Sequence, residues 1–246
     1  DFNDAQNRLL HYDAVFFIGD EEYCELINNM LTSKQTQVCL IDPSNKEKNC
    51  LQLSLSLKES AYRAVSFMAR NGYRRIAYIG SDHHPEGKLS GYKLALKEYG
   101  LPLIEKNIII GINAQTDGQR GVSILMGHGM DCDSIFVDTD SKAAGVITYL
   151  AQQGLKVPED IGVMGFDGLD VFVKAPPYLT TVKTCFKEVI EKALELLREK
   201  DRNEIIERCI EYPGKIIVNR TTFNGKNLTT NPEPLNYSSP LIMNNV

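Results

Sequence analysis

At 246 residues, with 43% hydrophobic and 24% charged side chains, the chain has an ordinary globular composition and enough length for two lobes or one large α/β domain. A net charge of −5 argues against a direct grip on nucleic acid, which requires a basic face. No run of about 18 apolar residues occurs, so no stretch reads as a membrane-spanning helix.

From the amino end, Ala14-Val-Phe-Phe-Ile18 reads as a buried strand, followed by a helical pattern through Tyr23, Leu26, Ile27, Met30 and Leu31. Val38-Cys-Leu-Ile41 is a second strand that ends in the turn Asp42-Pro43. Cys50-Leu-Gln-Leu-Ser-Leu55 alternates like a strand leading elsewhere. A helix covers Lys58 to Asn71, with Ala61, Val65, Met68 and Ala69 on one face and Asn71-Gly72 as its stop. Arg75-Ile-Ala-Tyr-Ile-Gly80 is a strand, Ser81 to Gly87 a polar loop, and Lys88 to Tyr99 a helix closed by Gly100. The alternation continues through Ile108-Ile-Ile-Gly111, Gly118 to Met126, Ser134-Ile-Phe-Val137 and Ser141 to Gln153.

Gly154 supplies a residue tolerant of positive φ just past that last helix, and Pro158 blocks any return to helix. Ile161-Gly-Val-Met-Gly-Phe166 is then an almost wholly apolar run, the pattern of a strand buried on both faces of a parallel sheet. Asp167 therefore falls at the carboxyl end of a strand, the edge where ligands bind in open α/β sheets. Phe186 to Glu199 is an amphipathic helix, and short strands are expected around Cys209-Ile210 and Ile216-Ile-Val218. Strands alternating with helices at this spacing mean βαβ units and parallel sheets. From about Asn224 the composition turns to Asn, Thr, Pro and Ser without periodicity, which reads as a tail that orders only by docking.

Few residues suggest reaction chemistry. His83-His84, flanked by Asp82 and Glu86, lack a third ligand at metal spacing, and Asp131-Cys-Asp133 reads as a surface loop for the same reason. Arg74-Arg75 is a solvated strand entry. Phosphate-binding glycine loops, nucleophile elbows and Ser/His/Asp or Cys/His sets do not occur, so no catalytic residue, metal or cofactor is expected. The six cysteines (Cys24, Cys39, Cys50, Cys132, Cys185 and Cys209) form no C-x-x-C pair, and buried, reduced thiols suit them better than disulfides.

Four segments read together carry a resemblance. They are Gly72-Tyr-Arg-Arg-Ile-Ala-Tyr-Ile-Gly80, Lys88-Leu-Ser-Gly-Tyr-Lys-Leu-Ala-Leu96, Val137-Asp-Thr-Asp-Ser-Lys-Ala-Ala-Gly145, and Val157-Pro-Glu-Asp-Ile-Gly-Val-Met-Gly-Phe-Asp167 followed by Pro176-Pro-Tyr-Leu-Thr-Thr-Val182. In that order they resemble the effector-binding domain of the LacI/GalR family of bacterial transcription regulators, over roughly residues 9 to 222. The resemblance implies two Rossmann-like lobes with parallel sheets, of the type I periplasmic-binding-protein architecture, joined by three crossovers around a small-molecule cleft. Residues 1–54 and 186–216 would form one lobe, 55–185 and 217–223 the other, and 224–246 the tail. The crossovers would fall near Ser54–Leu57, Lys183–Phe186 and Lys215–Asn219. The family's first strand and helix have no counterpart here, so the Ala14 strand is expected to lack a central neighbour and the chain to be a fragment.

The same resemblance implies a cytoplasmic, homodimeric regulator without enzymatic activity. It would take a sugar-like effector and reach operator DNA only through an N-terminal helix-turn-helix absent from these residues, with no membrane contact. A solute-binding protein for sugar transport shares the architecture and is the alternative. Asp167 matches the position that contacts effector hydroxyls, which suits a carboxylate because it accepts two hydrogen bonds; it could instead cap the following turn. Lys88 stands where the family has Arg, and is either a ligand contact or a solvated first-turn residue. Thr139 replaces the usual Asn, and Asp140 is expected to cap the helix beginning at Ser141. Asn113, Phe186 and Asp42 are further cleft candidates, with core or turn roles as alternatives for the last two. Ser56 stands near a position that is often Asp. No Trp is present, so any ring stacking would come from Tyr or Phe.

Overall fold

The computed structural model describes residues 8–18, 24–33, 36–41, 50–81, 87–112, 117–198, 208–222 and 241–242. In chain order they form β1 (Ala14–Ile18), α1 (Cys24–Ser33), β2 (Gln37–Ile41), β3 (Leu51–Ser54), α2 (Leu57–Arg70), β4 (Ile76–Ile79) and α3 (Lys88–Glu98). A 3-10 turn then leads to β5 (Ile108–Ile109), α4 (Gly118–Gly127), β6 (Ser134–Val137), α5 (Asp140–Gln152), β7 (Gly162–Asp167), the short α6 (Asp170–Val173) and β8 (Thr180–Lys183). The chain ends in α7 (Phe186–Arg198), β9 (Arg208–Glu211), β10 (Lys215–Ile217) and β11 (Leu241–Ile242). No helix among the described residues is long and apolar enough to cross a membrane.

Two compact units divide the chain: Asp1–Ser56 with Cys185–Pro213 and Ser238–Val246, and Leu57–Thr184 with Gly214–Tyr237. The first holds a sheet in the order β1-β2-β3-β9-β11, parallel except for the β9–β11 pair. Alternation along β2 sends Val38 and Leu40 to a core with Leu26, Ile27 and Met30 of α1. Cys39 and Ile41 face Val189, Ala193 and Leu196 of α7. Among the described residues β1 stands at the edge of this sheet and pairs with β2 along its whole length.

In the second unit the order is β10-β8-β7-β6-β4-β5, with only the β8–β10 pair antiparallel. Its central strands β4, β6 and β7 are buried on both faces, as their nearly unbroken apolar runs predict. Ile76, Tyr78, Phe136, Met164, Phe166 and Val182 face α2 and α3. Ala77, Ile79, Ile135, Val137 and Val163 face α4 and α5. The α2–α3 contact is close because a side chain at Gly91 would collide with the Lys58 carbonyl. Gly72, at φ +94°, turns the chain out of α2 where Asn71-Gly72 signalled a stop. The chain enters this unit for the last time at Gly214, ahead of the expected 215–219. The Gly214 N–H donates to Ser60 Oγ at 2.7 Å, and Ile216 packs on the α2/α3 core, which draws β10 into this sheet.

Candidate functional site

Because β4, β6, β7 and β8 run parallel, the residues following them meet at one edge of the second unit's sheet. Ser81 follows β4, Asp138, Thr139 and Asp140 follow β6, Asp167 ends β7, and Thr184 follows β8. Gly80 admits this gathering, since a Cβ there would occupy the space of the Asp138 carboxylate.

Asp138 is 3% exposed and forms an ion pair with Lys142, equally buried, at 2.8 Å. Its other oxygen accepts from the Ser81 N–H at 2.8 Å and the Ser81 hydroxyl at 2.9 Å. A buried ion pair persists only when its remaining hydrogen-bonding capacity is also met, and here it is. The Asp138 backbone carbonyl accepts from Lys88 Nζ at 2.6 Å. Lys88 Nζ also sits 4.0 Å from the centroid of the Phe166 ring, the end of an aromatic row running through Phe136, Tyr78 and Tyr92.

Lys88 and Asp167 lie 3.8 Å apart, with side chains 17% and 33% exposed. That separation is an ion contact longer than a hydrogen bond, so both groups keep hydrogen-bonding capacity for a ligand. Burial pushes the Lys88 ammonium below its ordinary pKa, against the pull of Asp167 and Asp138. Burial likewise raises the Asp167 carboxyl, against the pull of Lys88. Asp167 stands at φ +117°, outside the regions ordinary residues favour, and Gly168 follows at +75°. Such strain survives where the surroundings over-determine the conformation. Here the Asp167 carbonyl accepts from the Thr184 N–H at 3.3 Å and from the Thr184 hydroxyl at 3.4 Å.

The sequence-derived candidates divide accordingly. Asp167 and Lys88 come together, and Lys88 is not a solvated first-turn residue. Thr139 caps α5, its hydroxyl accepting from the Lys142 N–H at 3.4 Å. The cap is therefore Thr139 and not Asp140, because the helix begins one residue earlier than expected. Asp140 is the first helical residue and fully buried, with its carboxylate turned to the loop after β7. Phe186 opens α7 in the first unit and is 36% exposed. Ser56, in the same unit, has φ +46° and donates to Glu211 at 3.4 Å. Asn113, Asp42 and the His83-His84 pair lie outside the described residues. Asp133 accepts from the Arg74 and Arg75 N–H groups at 2.8 and 3.1 Å, a strand-entry role. Sequence reasoning missed the Asp138–Lys142 pair, whose i, i+4 spacing was the available signal. It missed the Asp140 contacts as well, for which no local signal exists.

Cys39, Cys50, Cys132 and Cys185 are buried and outside disulfides, and the Cys185 thiol donates to the Pro213 carbonyl at 3.4 Å. Burial pushes Cys39 and Cys132 up to about 12, which keeps both protonated and unreactive.

Residues 65–222 match the model of the periplasmic binding protein-like domain. Catabolite control protein A of Priestia megaterium is 30% identical over 175 residues, 69% of this chain and 53% of that protein. The transcriptional regulator AscG of Escherichia coli is 31% identical over 188 residues, 75% of this chain and 56% of that protein. The chain thus spans about half the length of these relatives. Among solved structures, a CelR–cellobiose complex superposes with a TM-score of 0.75 at 21% identity, covering 89% of this chain and 69% of that one. A LacI-family regulator from Enterococcus faecium with bound ribose gives 0.74 at 19% identity, covering 89% and 81%. At such identities the superpositions speak for the fold alone.

Proposed function

This chain belongs to the LacI/GalR family, of which it carries the periplasmic-binding-protein-like effector domain, and from that premise we propose that it senses a sugar or sugar derivative for a transcription regulator. The observation that carries the reading is the Lys88–Asp167 contact at the carboxyl edge of the second unit's sheet. A carboxylate accepts from two adjacent hydroxyls while the ammonium donates to a ring or hydroxyl oxygen. Hydrogen bonds to charged groups contribute about 1.5–3 kcal/mol each, enough for useful affinity from a few contacts. The pair is internally neutral, which suits a polyol better than a strongly charged ligand. Thr139, Asn113, Phe186 and Asp42 remain candidates for further contacts. Cellobiose and ribose in two structural neighbours support the same ligand class.

The regulator would act as a homodimer in the cytoplasm and reach operator DNA through a segment outside this sequence. The net charge of −5 supports that division of labour. Effector binding would shift a two-state equilibrium, and a swing from 1:99 to 99:1 requires about 5.5 kcal/mol of differential affinity. A thermal-shift screen of sugars, sugar phosphates and purines tests the reading, because a ligand of the folded state raises its melting temperature. At least one sugar is expected to stabilise the wild type and to lose that effect in Asp167→Ala. A panel in which only purines act, or a sugar that stabilises both proteins equally, contradicts it.

A further inference from the structure

The carboxylate of Asp140, at the start of α5, accepts from the Leu169 N–H at 2.7 Å and from the Thr181 hydroxyl at 2.5 Å. The turn that leaves β7 is thereby tied to the turn that leaves β6. The tie lands on the residue just past Asp167 and Gly168, both of positive φ, where an external anchor has most to offer. Leu169 is 42% exposed, and α6 beyond it is held to the core through the partly buried Phe172, so the turn itself has little packing of its own.

We propose that Asp140 is a positioning residue of the ligand site, its carboxylate fixing the Gly168–Leu169 turn and, through it, the Asp167 carboxylate, so that binding weakens as the medium is acidified. The inference rests on the reading of Asp167 as a ligand contact. Full burial of Asp140 raises its pKa from 3.8 to about 6, with the Thr181 hydroxyl and the backbone of Leu169 and Gly168 opposing the shift and the Asp167 charge adding to it. Protonation turns the charged acceptor of the Leu169 N–H into a neutral one, and a hydrogen bond to a neutral group is about half as strong. The charged groups around it are Asp167 of β7 and the Lys88 ammonium of α3, which feels its charge. Asp138 at the end of β6 and Lys142 of α5 are paired with each other.

Two measurements test this. In the ligand-free protein, the amide resonance of Leu169 should titrate with a midpoint near 6 and cease to do so in Asp140→Asn. Thr181→Val keeps the carboxylate and removes one of its donors, so there the midpoint should move up. A Leu169 amide that is flat with pH, a titration unchanged in Asp140→Asn, or a midpoint unmoved in Thr181→Val overturns the proposal. For binding, cellobiose and ribose are titrated calorimetrically at pH 8 and pH 5. Asp167 gives both proteins some pH dependence, but the wild type should lose about tenfold more affinity than Asp140→Asn. Equal losses in the two proteins overturn the link to binding. If neither sugar binds the wild type, the reading of the site fails, while the amide titration still decides whether Asp140 holds the turn.

Discussion

The two edges of the second unit's sheet carry similar residues and treat them differently. At the amino edge, Asp133 takes the Arg74 and Arg75 N–H groups, and Arg75 pairs with Asp131 with both side chains about half exposed. Tyr73 closes that edge by donating to the Thr222 carbonyl at 2.9 Å. At the carboxyl edge, Asp138, Asp140 and Lys142 are at most 3% exposed, and the Asp167 backbone is strained. The amino-edge charges are satisfied locally or by water, so they seal strand entries at little cost. Those at the carboxyl edge are desolvated and held by one another, an arrangement that stability alone does not call for. Desolvated, cross-braced charge is what a site built to displace water with a ligand requires.

Substitutions sharpen that contrast in descending order of effect. Asp138→Ala leaves the Lys142 ammonium buried without its partner and should cost about 3–5 kcal/mol in urea unfolding. Gly168→Ala forces a side chain onto positive φ and against the Lys183 backbone, and should cost more than about 1 kcal/mol on the same scale. Lys88→Met should change stability by no more than about 1 kcal/mol, since a partly desolvated ammonium is replaced by an apolar chain over Phe166, yet should weaken sugar binding at least about tenfold. Arg75→Ala, at the opposite edge, should stay within about 0.5 kcal/mol and leave binding unchanged. An Arg75 effect as large as that of Asp138 would erase the distinction between the edges.

The pH dependence of stability separates the edges as well. A carboxyl whose folded pKa is raised above 3.8 to about 6 contributes stability that is fully present below about 4 and is lost as pH rises through 6. Asp140→Asn should therefore flatten the fall of the urea midpoint between those values. A wild-type midpoint that rises with pH across this window, and does so equally in the variant, removes Asp140 as its source.

Most of the second unit's framework was legible in the chain. Its central strands β4, β6 and β7 are nearly unbroken apolar runs because both faces are covered, and its helices stop where Asn71-Gly72 and Gly154 permit positive φ. Asp167 was legible for the same reason, since the end of a buried run marks the edge of the sheet. What stayed hidden depends on residues distant in sequence. The place where β10 joins its sheet depends on Ser60 and the α2/α3 core, and the strand-like run alone did not fix it. Asp140 carries the sequence marks of a helix cap, and only the Leu169 and Thr181 contacts reveal its other role. Lys142 reads as a surface lysine until Asp138 is seen beneath it.

The central claim is that the Lys88–Asp167 pair receives the ligand. Calorimetric titration of the best sugar from the screen into the wild type and Asp167→Asn tests it most directly. Replacing the charged acceptor should weaken binding about ten- to a hundredfold while the unfolding free energy in urea stays within about 1 kcal/mol of wild type. The same dissociation constant in both proteins would place the sugar elsewhere and contradict the account.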